Sequence, residues 1–127
     1  MAYWLSYATT TQQYNAMQQL TRLTVVGGGS TKVDYEYRFS ATQNNDRITQ
    51  RKDWLSGEEI EYQYDSLNRL VSAATTGSGG WGQSFGYDGF GSLLSQTVTK
   101  GSAPTLSVSV DPATNRITAI LTTPTGT

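Results

Sequence analysis

Apolar and polar residues alternate with a period of two along much of this 127-residue chain, which confines most of it to half-buried β-strands. Val33, Tyr35, Tyr37 and Phe39 alternate with Asp34, Glu36 and Arg38. Ile60, Tyr62 and Tyr64 alternate with Glu59, Glu61 and Gln63. Trp81, Gln83, Phe85 and Tyr87 share one face, with Gly82, Ser84 and Gly86 on the other. Leu106, Val108 and Val110 alternate with Ser107 and Ser109, and Tyr3, Leu5 and Tyr7 begin the same pattern. Successive strand side chains point to opposite faces, so each segment offers one aromatic or aliphatic face and one polar face.

Segments rich in Thr, Val, Ile and Leu lie between these and also read as strands: 20–26, 47–53, 69–75, 93–99 and 116–121. Turn residues separate them at Gly27-Gly28-Gly29-Ser30, Leu55-Ser56-Gly57, Gly77-Ser78-Gly79-Gly80, Lys100-Gly101-Ser102 and Asp111-Pro112. Residues 11–20, with two Gln pairs and Met17, have some helical propensity, less than would commit them to a helix.

The strands recur with a longer period. Tyr14, Phe39, Tyr64, Tyr87 and Val110 each end a first arm, at spacings of 25, 25, 23 and 23 residues. A short polar turn follows each, then in most copies an Arg and a branched apolar residue. The fullest copy runs Tyr64-Asp65, two turn residues, then Asn68-Arg69-Leu70. Tyr87-Asp88 leads to Gly91-Ser92-Leu93, Asp111 leads to Asn115-Arg116-Ile117, and Phe39 leads to Asn45-Asp46-Arg47-Ile48. Tyr14-Asn15 leading to Leu20 is the weakest copy. Each unit reads as strand, tight turn and return strand. Asp65, Asp88 and Asp111 are suited to accept backbone N–H bonds in Asx-turns. Gly91 and Asn68 suit a left-handed turn position. The arginines stand where a guanidinium can stack on an aromatic anchor or pair with the turn carboxylate. Anchors 39, 64, 87 and 110 should therefore pair with residues 48, 70, 93 and 117 in matching places. Tyr64 is expected to be largely buried, and aromatic pairs such as Tyr62/Tyr64 and Phe85/Tyr87 to stack as a ladder.

A Tyr-Asp pair, a few turn residues and then Asn/Gly-Arg-Leu resembles the YD repeat of RHS proteins, teneurins and the B and C components of insecticidal toxin complexes. The resemblance covers residues 14–121. It implies an all-β fold of consecutive antiparallel hairpins, a strip that curls into a hollow shell around a toxic polypeptide or serves as an extracellular adhesion module. Residues 1–127 would then be a single all-β repeat domain excised from a longer chain whose parent is secreted or at the cell surface. Both ends read as cuts. Tyr3 to Tyr7 and Ile117 to Leu121 are uncharged, so the edges should be satisfied by closure into a small barrel, self-association, or strand pairing with a partner.

The composition bears mainly on chemistry. The chain has no His and no Cys, which removes Ser-His-Asp and Cys-His nucleophiles and Cys/His zinc sites. Nine Lys and Arg balance ten Asp and Glu, giving no electrostatic case for nucleic acid. No apolar run is long enough for a transmembrane helix, and the N-terminus lacks the basic-then-apolar pattern of a signal peptide. No cofactor or metal site is expected, because one carboxylate per turn falls short of the six to eight oxygens that calcium takes. The expected role is structural rather than enzymatic. Glu58, Glu59 and Glu61, or Asp34 and Glu36, could be read as a glycosidase pair, since alternate strand residues stand about 7 Å apart; a solvated strand face is the simpler account. Gly27 to Ser30 lacks the Lys and helix of a phosphate loop. A carbohydrate-binding or adhesion module is the stronger rival. Trp54, in a loop off the alternation, and Trp81 could stack a sugar ring, although Trp54 folded over the sheet as a plug and Trp81 in the core are the plainer readings.

Overall fold

The structure is a computed structural model that describes residues 7–123. It is all-β among those residues. The strands are β1 (Ala8–Tyr14), β2 (Leu20–Gly27), β3 (Ser30–Phe39), β4 (Ile48–Asp53), β5 (Glu59–Tyr64), β6 (Leu70–Thr75), β7 (Trp81–Tyr87), β8 (Leu93–Gly101), β9 (Thr105–Asp111) and β10 (Arg116–Thr123). They form one antiparallel sheet whose order is the order of the chain. Within it the chain divides into two compact units, Met1–Ile60 and Glu61–Thr127, the boundary falling in β5.

Among the described residues the sheet is not closed: each strand pairs only with its neighbours in the chain, β1 with β2 and β10 with β9, and no pairing joins β1 to β10. The small barrel expected of the sequence is corrected accordingly, because each hairpin recruits the next in sequence.

Residues 11–20 are not helical. The first four complete β1 and the rest make the turn into β2. Three consecutive threonines, Thr9 to Thr11, favour extended backbone. The Asn15 side chain then captures the N–H groups of Met17 and Gln19 at 2.9 and 3.0 Å, which competes with helix formation. Tyr3 and Leu5 lie outside the described residues, and Tyr7 precedes β1 and is exposed.

In the first unit the β2–β3 connection is a two-residue hairpin loop. Gly28 and Gly29 have φ of 58° and 76°, the left-handed pair that matches the twist of the flanking strands. The register sets Leu23 opposite Tyr35 and Val25 opposite Val33 on one face, and Arg22 opposite Glu36 and Thr24 opposite Asp34 on the other. β4 continues this, with Lys52 opposite Glu36 and Gln50 opposite Arg38.

In the second unit Ala73 pairs with Gln83, and Gln83 in turn with Val98. Gln83 is buried and donates from Nε2 to the Pro104 carbonyl at 2.7 Å. The core of each unit is thin. Only Ile60 (3% exposed) and Ala73 (4%) are buried apolar residues among those described, and none of the described side chains is completely enclosed. Tyr64 is half-buried, not largely buried as its aromatic face suggested. A face that no second layer covers leaves its large side chains partly in water.

Where an anchor meets its return strand, the register slips. Tyr14 lies opposite Leu20, Phe39 opposite Ile48, Tyr87 opposite Leu93 and Val110 opposite Ile117. A β-bulge sits beside each of these pairs, leaving Thr21, Thr49, Leu94 and Thr118 as the extra residues. The three threonines use the slip in one way: their hydroxyls donate to the carbonyls of Gln13, Arg38 and Ser109 at 3.2, 3.1 and 3.1 Å. A bulge adds local twist and strands one residue from the ladder; a threonine there supplies a replacement hydrogen bond.

Every such turn ends in a left-handed residue just before the return strand: Gln18, Asp46, Asn68, Gly91 and Asn115, with φ of 62°, 63°, 65°, 89° and 53°. Gln is the worst suited of these, since its Cβ crowds the following carbonyl and it has no short polar group to compensate. Gln18→Gly is therefore expected to stabilise the protein by about 0.5–1 kcal/mol, read as a rise in the urea midpoint at unchanged m-value.

Candidate functional site: the hairpin turns and the charged face

The turns headed by Asn15, Asp65 and Asp88 have one geometry. In each, the heading residue donates its N–H to the carbonyl four residues on, at 3.0, 2.9 and 3.1 Å, and its carbonyl accepts from the N–H three residues on, at 3.0, 3.0 and 3.1 Å. Its Oδ1 accepts two backbone N–H bonds: from Met17 and Gln19 (2.9 and 3.0 Å), from Leu67 and Arg69 (both 2.9 Å), and from Phe90 and Ser92 (2.9 and 2.8 Å). An amide or carboxylate oxygen serves equally, which is why Asn15 stands in for Asp.

Asp111 heads a turn one residue longer. Its carbonyl accepts from Asn115 N at 2.8 Å, Oδ1 from Ala113 N at 2.8 Å, and Oδ2 from the Thr114 hydroxyl at 2.9 Å. The turn after Phe39 divides the task, with Ser40 Oγ accepting from Gln43 N at 3.0 Å and Asn44 Oδ1 from Asp46 N at 3.1 Å.

The residue after the left-handed position joins one turn to the next. Arg69 donates to its own turn carboxylate, Nε to Asp65 Oδ2 at 2.7 Å. Its guanidinium carbon stands 4.9 Å from the centre of the Tyr87 ring, and it donates to the Asp88 carbonyl at 3.1 Å. Tyr87 completes the joint by donating its hydroxyl to the Leu70 carbonyl at 2.8 Å. Gln19 does the same with an amide. Its Oε1 accepts from Asn15 Nδ2 at 2.7 Å and Asn44 Nδ2 at 2.8 Å, and its Nε2 donates to Asn44 Oδ1 at 2.8 Å and Asp46 Oδ1 at 2.5 Å. Gln19 is buried, so these bonds satisfy an amide that would otherwise lose its hydration. Arg116 begins β10 and is exposed.

The polar face of the first unit is a lattice of ion pairs. Arg22 grips Asp34 with two bonds, Nε to Oδ1 and Nη2 to Oδ2, both 2.9 Å. Arg38 donates to Glu36 at 2.7 Å and lies 3.4 Å from Glu59, which also faces Lys52 at 3.5 Å. Glu59 is thus held between two cations rather than solvated on a free face.

Trp54 lies against this lattice. Its backbone N–H donates to the Asp34 carbonyl and its indole N–H to Glu36 Oε2, both at 2.9 Å. Lys52 Nζ stands 4.3 Å and the Arg22 guanidinium 5.5 Å from the ring centre. The ring is folded onto the strands at 47% exposure. Trp81 opens β7 half-buried, and its N–H donates to Thr75 Oγ1 at 3.2 Å. Tyr35 and Tyr37 are in tilted contact at 6.5 Å, and Arg51 sits 5.1 Å from the Tyr35 ring. Cations over rings thus recur beside ring-to-ring contact.

The carboxylates with displaced pKa values are displaced downward. Hydrogen bonding from Arg22 lowers Asp34, and hydrogen bonding from Arg38 lowers Glu36. The backbone N–H groups of Leu55, Arg69 and Ala113 lead in lowering Asp53, Asp65 and Asp111. For Asp34 and Glu36 this is opposite to the displacement that a glycosidase general acid needs. The sign for stability follows. A carboxyl with a lowered folded pKa stabilises the fold above its unfolded pKa, and loses that contribution as pH falls through the folded value. The urea midpoint should therefore be level above about pH 5 and fall progressively below about pH 4, where unfolded carboxyls begin to bind protons. A midpoint that rises on acidification contradicts this assignment.

Asn15 entered the sequence reading only as part of the weakest repeat copy, and Gln19 and the bulge threonines were given no role there. Their signal was there, in Tyr14-Asn15 one repeat ahead of the Asp-headed turns and in Thr after the apolar residue at 20, 48 and 117. No protein-family model matches the chain, and no curated protein matches its sequence. Among the described residues no helix is long and apolar enough to cross a membrane, and no cluster of acidic residues is arranged to hold a metal ion.

Proposed function

We propose that this chain is a structural segment of an RHS/YD-repeat β-strip, part of the wall of a shell that encloses a toxic polypeptide or forms a surface-exposed module of a secreted or cell-surface parent. The observation that carries the reading is the joint between turns. Arg69 closes its own turn on Asp65 and then binds Tyr87 and Asp88 of the next, and Gln19 repeats this toward Asn44 and Asp46. A unit completed by its neighbour is the unit of an extendable strip, whose stability comes from interfaces between repeats. The thin cores agree with this, since a wall finds cover for its faces in neighbouring walls or cargo. The role is mechanical and calls for no cofactor.

The rival is a carbohydrate-binding or adhesion module built on exposed tryptophan. Trp54 keeps about half its surface open, but its N–H is committed to Glu36 and cations stand over the ring, which favours a plug.

The test is to duplicate residues 64–86 in place, inserting the second copy after Gly86. A strip accepts the added repeat: the protein unfolds in one transition, with a higher urea midpoint and larger m-value. Loss of cooperative folding overturns the reading. Titration against a glycan panel separates the rival, which requires binding that Trp54→Ala abolishes.

A further inference from the structure

The turns headed by Asn15, Asp65 and Asp88 each carry a large exposed side chain two residues after the head: Met17, Leu67 and Phe90. Leu67 and Phe90 are hydrocarbon. Met17 carries a sulfur, is 57% exposed, and is the only methionine of the chain besides Met1. Its sulfur takes part in the joint between turns. From the turn between β3 and β4, Asn44 Nδ2 donates to Met17 Sδ at 3.4 Å. The same amide nitrogen donates to Gln19 Oε1 at 2.8 Å, and Asn44 Oδ1 accepts from Gln19 Nε2 at 2.8 Å and from Asp46 N at 3.1 Å. Both donors and the acceptor of Asn44 are thus engaged, and the weakest of its partners is the thioether, a poor acceptor. Asn15, Met17 and Asn44 also line one open cavity of about 540 Å³, through which a small solute reaches the sulfur.

We propose that Met17 is a peroxide-reactive site whose sulfoxide tightens the joint between the first two turns. The reagent is a hydroperoxide, of which hydrogen peroxide is the simplest. The sulfur lone pair attacks one peroxide oxygen, so that an S–O bond forms as the O–O bond breaks. The sulfur is oxidised by two electrons and the peroxide is reduced by two. The hydroxide released takes the proton from the transferred oxygen and leaves as water. In a core, a methionine sulfoxide is disruptive because it sets a polar group among apolar ones. Met17 is placed for the opposite result. Its side chain is exposed, so the new oxygen keeps its hydration, and an N–H donor already stands at the sulfur. The unbranched, flexible side chain lets the oxygen take the sulfur's place before Asn44 Nδ2. A weak amide-to-thioether bond then becomes an ordinary amide-to-oxygen bond.

The test oxidises the full chain with hydrogen peroxide and follows the gain of one oxygen at Met17 by peptide mass spectrometry. The absence of cysteine leaves methionine as the only sulfur that reacts. The oxidised protein should have a urea midpoint raised by about 0.3–0.5 M, as one improved hydrogen bond provides, and enzymatic reduction of the sulfoxide should restore the original midpoint. Met17→Leu keeps Met1 and should show no shift under the same treatment, which assigns the effect to residue 17. Asn44→Ala should still be oxidised at Met17 but lose the rise, which assigns the effect to the donor. A midpoint that falls or stays level on oxidation overturns the proposal, as does a Met17 that resists peroxide or a rise that persists in either variant. Each of these results leaves the strip reading standing, since that is decided by the duplicated repeat.

Discussion

Gly101→Ala should destabilise the protein by roughly 2–5 kcal/mol, combining a left-handed backbone carrying a side chain with overpacking against a fixed neighbour. Gly101 ends β8 with φ of 60° and pairs with Trp81. A Cβ built there meets the Gly80 carbonyl oxygen in severe overlap, with the Gly80 carbonyl carbon at 3.1 Å. Backbone cannot swing aside as a side-chain tip does, so the β7–β8 hairpin must open. Gly28 supplies the control. Its φ is 58°, nearly the same, and nothing lies within 4 Å of its Cβ position. Gly28→Ala should cost about 1 kcal/mol, from the backbone conformation alone. Urea unfolding of both variants isolates the steric part, and equal midpoints would mean that the two strands do not approach as described.

Ile60→Ala should cost about 2–4 kcal/mol, within the range for truncating buried isoleucine. Ile60 is one of two buried apolar residues described, at 3% exposure. In a thin core it has no substitute, though a sheet open to solvent can also collapse toward the gap, which favours the lower part of the range. Leu121→Ala, at 72% exposure, should stay within about 0.5 kcal/mol. Against a typical stability of about 5–15 kcal/mol, the first change is large and the second negligible. The comparison is made by chemical denaturation. Similar midpoints for the two variants would contradict the assignment of Ile60 to the core.

How far the turns could be read beforehand depends on the range of the forces involved. Asp65, Asp88 and Asp111 head turns for a local reason: a short acceptor just after a strand finds free N–H groups two to four residues on. Asn68 and Gly91 were legible as left-handed positions because few residue types tolerate them. Arg69 was placed near its own Asp65 or an aromatic ring, and the structure gives it both. That its ring belongs to Tyr87, in the next hairpin, is a matter of tertiary register. Gln19 escaped notice because an amide in the arginine position makes the same bridge through different bonds, visible only once the turn at residues 44–46 stands beside it. The charged face was read as solvated for a similar reason. The alternation put Asp34, Glu36 and Arg38 on one side of a strand, but only pairing with β2 brings Arg22 to Asp34, and only the course of the chain past β4 brings Glu59 to Arg38 and Lys52.

The sequence by itself determined the strands, because a period of two and punctuation by Gly, Asn, Asp and Pro are local properties. Trp81–Tyr87 was legible to its ends, and most of the other strands to within a residue or two. β1 was the exception, since its run of Thr and Gln has no aromatic alternation to declare a face. Only the tertiary structure decided that the bulges fall beside the anchors and that aromatic faces such as those of Tyr64 and Tyr87 remain half in water. Alternation shows that a strand has an apolar face, but burial requires a second surface to lie on it. Whether a chain supplies that surface depends on contacts between segments far apart in sequence, and no period within a strand encodes that.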